Sequence, residues 1–141
     1  PLSGIPTREA MAAVLEGSAN PDRSKSLSAV IASSAVASMA DLAAENHMER
    51  SVVKYIAALA AATRASESTR IGVSTRGALA MRVWAAAQGR PYVIPDDVRM
   101  LAQVVWAHRL VMDPDAEFAG ATPSGVISEA LDVVPVPTVQ K

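Results

Sequence analysis

Apolar side chains along this chain recur at the three- and four-residue spacings of helices, and no stretch alternates long enough to require a sheet. Residues 1–6 carry two prolines and a glycine and read as an extended entry segment. Thr7 then offers a side-chain cap to a short helix in which Met11, Val14 and Leu15 recur at helical spacing until Gly17. A Ser-, Asn- and Pro-bearing loop follows, and Ser33 or Ser34 can cap a second helix with Val36, Met39, Ala40 and Ala43 in its stripe. A third helix over about 49–65 places Val52, Ile56, Leu59, Ala60 and Thr63 on one side, with Glu49 and Arg64 suiting the two ends of its dipole. Ser74 can cap a fourth helix that runs to Gln88 and stops at Gly89, its core side marked by Leu79, Val83 and Ala86. Pro95, Asp96 and Asp97 open a fifth, whose stripe of Val98, Leu101, Ala102 and Val105 fades near His108. A polar loop over 113–125 leads to a last helix over about 124–132 with Ile127, Ala130 and Leu131 on one face, ended by Pro135 and Pro137. About six helices predict an all-α helical bundle, with room for a short strand pair near residues 90–94.

Composition narrows this picture. The 141 residues suit one core, and half are apolar while only 4% are aromatic, so Ala, Val, Leu, Ile and Met must fill the interior. Thirteen basic residues against fourteen acidic ones leave a formal charge of −1, which argues against a nucleic-acid partner. The absence of cysteine excludes disulfides, thiolate catalysis and zinc ribbons, and suits a cytoplasmic setting. Apolar stretches such as residues 55–62 are far shorter than the roughly 20 residues that span a bilayer, so no membrane span is expected. The chain opens on Pro1 without an initiator Met or a signal-like segment, and reads as a piece excised or processed from something longer.

Candidate chemistry is sparse. Gly72-Val73-Ser74-Thr75-Arg76-Gly77-Ala78 has the glycine spacing of a phosphate-binding loop, but Ala78 stands where the lysine belongs, so the phosphate-loop reading fails and a glycine turn followed by a capped helix is the better account. Arg76, in the first turn of that helix, is well placed to meet an anion beside exposed N–H groups. Asp113, Asp115 and Glu117 imitate the start of a calcium loop, yet Phe118 and Ser124 occupy the positions that need Gly and Glu. His47 and His108 have no carboxylate at ligand spacing, so no metal is predicted. Trp84 and Trp106 suit core packing or an interface anchor, with Trp84 expected in the core.

Five motifs in order carry a family resemblance: Tyr55-Ile56, Ala62-Thr63-Arg64, Gly72-Val73-Ser74-Thr75-Arg76, Gly89-Arg90-Pro91-Tyr92-Val93-Ile94-Pro95-Asp96-Asp97-Val98 and His108-Arg109-Leu110. Together they resemble the C-terminal helical lid of MoxR-family AAA+ ATPases, strongly over about half of the chain. Gly4-Ile5-Pro6-Thr7-Arg8-Glu9 is similar to the exit from that family's α/β domain. The family commonly has Pro at the position of Thr75 and a capping Thr or Ser at that of Ile94; these departures remove a preset backbone angle and a side-chain cap but do not touch Arg76.

The resemblance implies a division of the chain into residues 1–6, a linker from an α/β domain lying outside it, and residues 7–141, the lid. It implies that Arg76 is the sensor-2 arginine, reaching the γ-phosphate of ATP, with Ser74 beside it and Ile5 and Pro6 along the nucleotide. Mg2+ and the Walker motifs would belong to the α/β domain, so the complete protein would hydrolyse ATP and this fragment alone would not. The family further implies a homo-oligomeric, hexameric ring, chaperone-like remodelling of client proteins and von Willebrand factor A domain partners, the isolated lid being a monomer or weak dimer. Whether Arg64, Arg70 and Arg82 join Arg76 near phosphate or only solvate helix surfaces is left open by the sequence. The competing reading is a free-standing helical protein-interaction module that never meets nucleotide.

Overall fold

The computed structural model describes residues 7–18 and 27–138. Chain contacts divide it into two units, Pro1–Val36 and Ala37–Lys141, with the boundary inside the second helix. Seven α-helices lie among the described residues: α1 (Arg8–Ser18), α2 (Ser33–Glu45), α3 (Arg50–Ala65), α4 (Ala78–Ala87), α5 (Pro95–Trp106), α6 (Pro114–Phe118) and α7 (Pro123–Val133). None is long and apolar enough to cross a membrane.

In the first unit, Thr7 caps α1 as expected, its hydroxyl accepting the Ala10 N–H at 3.2 Å. Met11, Val14 and Leu15 do share this helix, but all three are exposed. The second helix starts a residue earlier than its expected caps allow, with Ala32 O accepting from Ala35 and Val36 N–H, so Ser33 and Ser34 sit inside it. Of its predicted stripe only Ala43 is buried; Val36 and Met39 are open to solvent.

The second unit holds the core. Its α3 buries Val52, Tyr55, Ile56, Leu59, Ala60 and Thr63 while Arg50 and Lys54 stay outside, as the pattern predicts. Likewise, α5 buries Val98, Ala102 and Trp106, with Leu101 and Val105 packed at the edge. Closing over both is α7, where Thr122 accepts the Gly125 N–H at 3.1 Å as cap and Val126, Ile127 and Ala130 point inward.

Three expectations are corrected. The buried side of α4 is Met81 and Ala85, whereas Leu79 and Val83 are about half exposed and Ala86 only partly buried. This helix is apolar on nearly every side, so hydrophobicity alone does not choose the face; the one that packs carries Met81, fully buried, and Ala85, and it follows Gly77, whose missing side chain leaves room for Trp106 of α5. Trp106 rather than Trp84 is the core tryptophan, at 1% exposure against a half-buried ring. The predicted polar loop contains α6, capped by Asp113, whose carboxylate accepts the Asp115 N–H at 3.1 Å.

Strand pairing occurs, though mostly elsewhere than near residues 90–94. β1 (Thr69–Ile71) pairs antiparallel with β2 (Val111–Met112), Thr69 opposite Met112 and Ile71 opposite Val111, with a bulge at the residue between. Near 90–94 there is a single parallel bridge, in which His47 N–H donates to Pro91 O at 2.9 Å and Val93 N–H to His47 O at 3.0 Å. The fourth helix ends as read: Gly89, at φ 71°, donates to Ala86 O at 2.9 Å and Arg90 N–H reaches Ala85 O at 2.9 Å, a Schellman cap.

Candidate functional site

Arg76 lies in a 3₁₀ turn, Thr75–Gly77, that leads into α4. Its side chain is exposed and makes no hydrogen bond or ion pair with any described residue. The turn beneath it is held from both sides. On the upstream side Val73 is 1% exposed, and both its backbone groups are engaged by α3. Its N–H donates to Thr63 Oγ1 at 3.2 Å, the Thr63 hydroxyl donates in turn to Ala60 O at 2.9 Å, and Arg64 Nη2 donates to Val73 O at 3.1 Å. Gly72 permits this approach: a Cβ there would strike the Arg64 side-chain stem and come within 2.8 Å of its backbone nitrogen. On the downstream side Gly77 is buried against α5, where a Cβ would collide with Trp106 Nε1 and meet Val105 Cγ1 at 3.0 Å.

Ser74 occupies the cap position of the turn at φ −98° and ψ 160°, but its hydroxyl caps nothing, contrary to the expectation that it would. It is exposed two residues from Arg76. Ile5 and Pro6 lie outside the described residues. Two of the other arginines in question are committed to structure: Arg64 to Val73 O, and Arg82 Nη1 to Ala44 O at 2.8 Å. Arg70 is exposed on β1 and has no partner among the described residues.

Beyond the other end of α4, the loop between α4 and α5 is locked by an ion pair that the motif spacing does not foretell. Arg90 Nη1 and Nη2 meet Asp97 Oδ2 and Oδ1 at 2.8 and 2.6 Å, a bidentate contact, with Asp97 only 3% exposed. As expected, Ile94 gives the first turn of α5 no side-chain cap, while Asp97 Oδ2, from the third residue of that helix, accepts the Ile94 N–H at 2.9 Å. Burial pushes the Asp97 carboxyl up, but the hydrogen bonds from Arg90 and Ile94 and the guanidinium charge outweigh it and hold the group below the usual carboxylate range. The same partner raises Arg90 above its ordinary value. Asn46 adds a further tie, its amide donating to Arg90 O at 2.8 Å and Arg82 O at 3.3 Å.

Among the described residues no group of His, Asp or Glu side chains is arranged to hold a metal ion, and Asp113 serves as a helix cap. A groove of about 720 Å³ in the second unit is lined by His47, Glu49, Tyr92 and Ile94 among others and includes none of the site residues expected from the sequence. What the turn offers chemically is therefore a monopositive, planar donor on an otherwise immobilised backbone.

Comparison with known proteins matches this arrangement to the AAA lid domain over residues 61–130, which run from the end of α3 through Arg76 to α7. This chain is a MoxR-type AAA lid domain. The lid is 34% identical over 112 residues to the chaperone MoxR1 of Mycobacterium tuberculosis, covering 70% of the lid chain and 30% of that protein. It is 35% identical over 91 residues to the protein YeaC of Bacillus subtilis, covering 62% of the chain and 28% of that relative. The lid thus spans less than a third of the length of these relatives. A crystal structure from Cytophaga hutchinsonii, assigned as an ATPase, shares the fold with a TM-score of 0.72 at 21% identity, over 96% of this chain and 45% of that one.

Proposed function

We propose that this lid completes the nucleotide site of a MoxR-type AAA+ ATPase, with Arg76 as the sensor-2 residue. The observation that carries the reading is an arginine with no partner among the described residues, standing on a turn whose flanks are pinned to the core at Val73 and Gly77. Side-chain freedom above a fixed backbone suits a group that must reach a ligand supplied from outside the chain. ATP, held with Mg2+ by the α/β domain of the same protein, would present the phosphoryl group. Arg76 would donate paired N–H bonds to its γ-phosphate oxygens and stabilise charge as it develops there. Ser74, exposed on the same turn, is the second side chain within this reading, and Ile5 and Pro6 of the 1–6 linker would lie along the nucleotide. The lid, residues 7–141, would move as the γ-phosphate is lost. Without the α/β domain the fragment would not turn over ATP.

The likeness to a chaperone supports a wider proposal: a homo-oligomeric, hexameric ring in the cytoplasm that remodels client proteins, with von Willebrand factor A domain partners. The test of the central claim is Arg76→Ala in the complete ATPase. Losing a donor to developing phosphoryl charge should lower ATP turnover about tenfold or more. Stability should hold within about 0.5 kcal/mol, since the side chain is exposed. Turnover within twofold of the parent would remove Arg76 from the mechanism.

A further inference from the structure

We infer that Thr63 and Arg64 are positioning residues for Arg76, so that the last turn of α3 sets the nucleotide-facing geometry of the lid. The inference rests on the reading of Arg76 given above. Neither residue need approach the ligand. Thr63 is 1% exposed and its hydroxyl already holds two bonds, accepting from Val73 N–H and donating to Ala60 O. Arg64 directs its guanidinium at Val73 O and lays its stem across Gly72. Donor and acceptor of one peptide residue, three positions before Arg76, are thus fixed by two adjacent side chains of a helix that is itself anchored in the core.

A backbone amide and carbonyl held in this way cannot rotate without breaking a bond, so the direction in which the following turn leaves the core is set at Val73. An arginine that must meet phosphoryl oxygens depends on such direction steeply, because a misplacement of about 1 Å costs a catalytic contact on the order of a hundredfold. Trp106 and Val105 close the turn at its other end through Gly77, leaving Ser74, Thr75 and Arg76 exposed between the two fixed points.

The test uses the complete ATPase and three variants. Thr63→Val keeps the shape and removes both hydroxyl bonds, Thr63→Ser restores them, and Arg64→Met keeps a stem over Gly72 without the donor. Expected for Thr63→Val and Arg64→Met is a fall in kcat of about tenfold with KM for ATP changed by less than about threefold, Thr63→Ser returning to near the parent value. Combined with Arg76→Ala, neither should lower kcat further, since both act through the same guanidinium. Thr63→Val strips the buried Val73 N–H of its acceptor and lowers the unfolding temperature under either reading, so the kcat of the double variants decides: a purely structural role would add its effect to that of Arg76→Ala. Additivity, or parental kcat in both Thr63→Val and Arg64→Met while Arg76→Ala is impaired, would overturn the inference and leave the sensor reading intact. Parental turnover in Arg76→Ala would remove both. If Thr63→Val does not fold, Arg64→Met alone decides, by the same two criteria.

Discussion

Gly77→Ala puts the sign of a substitution at stake as well as its size. Gly77 has φ −62° and ψ −18°, angles that alanine adopts without strain. In open space the change would stabilise the fold by about 0.4–1 kcal/mol, because alanine has fewer unfolded conformations to lose. Here the new methyl falls on Trp106 Nε1 and comes within 3.0 Å of Val105 Cγ1 and 3.1 Å of Trp106 Cδ1. Neither neighbour yields easily, since the indole is rigid and Trp106 is 1% exposed in a filled core. Overpacking of this kind costs about 1–3 kcal/mol, which outweighs the entropic gain and leaves a net loss of roughly 1–2 kcal/mol. For a domain of this size that is a fall in Tm of about 4–8 °C, measurable by circular dichroism. Repeating the change in a Trp106→Phe background should shrink the penalty, because the smaller ring vacates the space beside Gly77. A raised Tm for Gly77→Ala, or an equal loss in the two backgrounds, would refute the close-approach argument.

Asp97→Ala leaves the Ile94 N–H and the Arg90 fork without their shared acceptor and should cost about 3 kcal/mol in urea unfolding, with a loss under about 1 kcal/mol counting against the pair. Since the Asp97 carboxyl is held below the ordinary value, its stabilisation is complete above about pH 4 and is lost as pH falls through the lowered folded pKa; Asp97→Asn should flatten that acid limb of the stability curve, and an unchanged limb would deny it. Trp106→Ala should destabilise by roughly 3–5 kcal/mol and Trp84→Ala by less than half as much, so equal losses would contradict their placement.

Helices were legible where one side of the helix is charged. Arg50 and Lys54 oppose the apolar stripe of α3, and Asp96 and Arg99 oppose that of α5, so only one face could turn inward. For α4 the same rule does not separate Leu79 and Val83 from the face that packs, which carries Met81 and Ala85 and meets α5 beside Gly77. Periodicity ranks faces by hydrophobicity, and in an alanine-rich helix the decisive quantity is the distance of approach. The strands β1 and β2 are three and two residues long and carry no period to detect, while α6, inside the segment read as a loop, did carry local signals in Asp113 as cap and Pro114 at the first helical position.

The site divides along a different line. Spacing alone brought Arg76 forward, yet it suggested that Gly72 and Gly77 serve as phosphate-loop glycines or turn glycines. Neither has a positive φ; among the described residues that conformation belongs to Gly89 and Gly120. Gly72 and Gly77 are needed instead for missing Cβ atoms, one beneath Arg64 and the other beneath Trp106. A glycine required by its dihedral angles can be recognised from neighbouring residues, because turn chemistry is local. One required by close approach cannot be recognised until the opposing side chain has been placed, eight or more residues away. The Thr63 and Arg64 contacts to Val73 escape the pattern for the same reason: they join side chain to backbone across separate elements, and only the three-dimensional path of α3 past the turn brings them together.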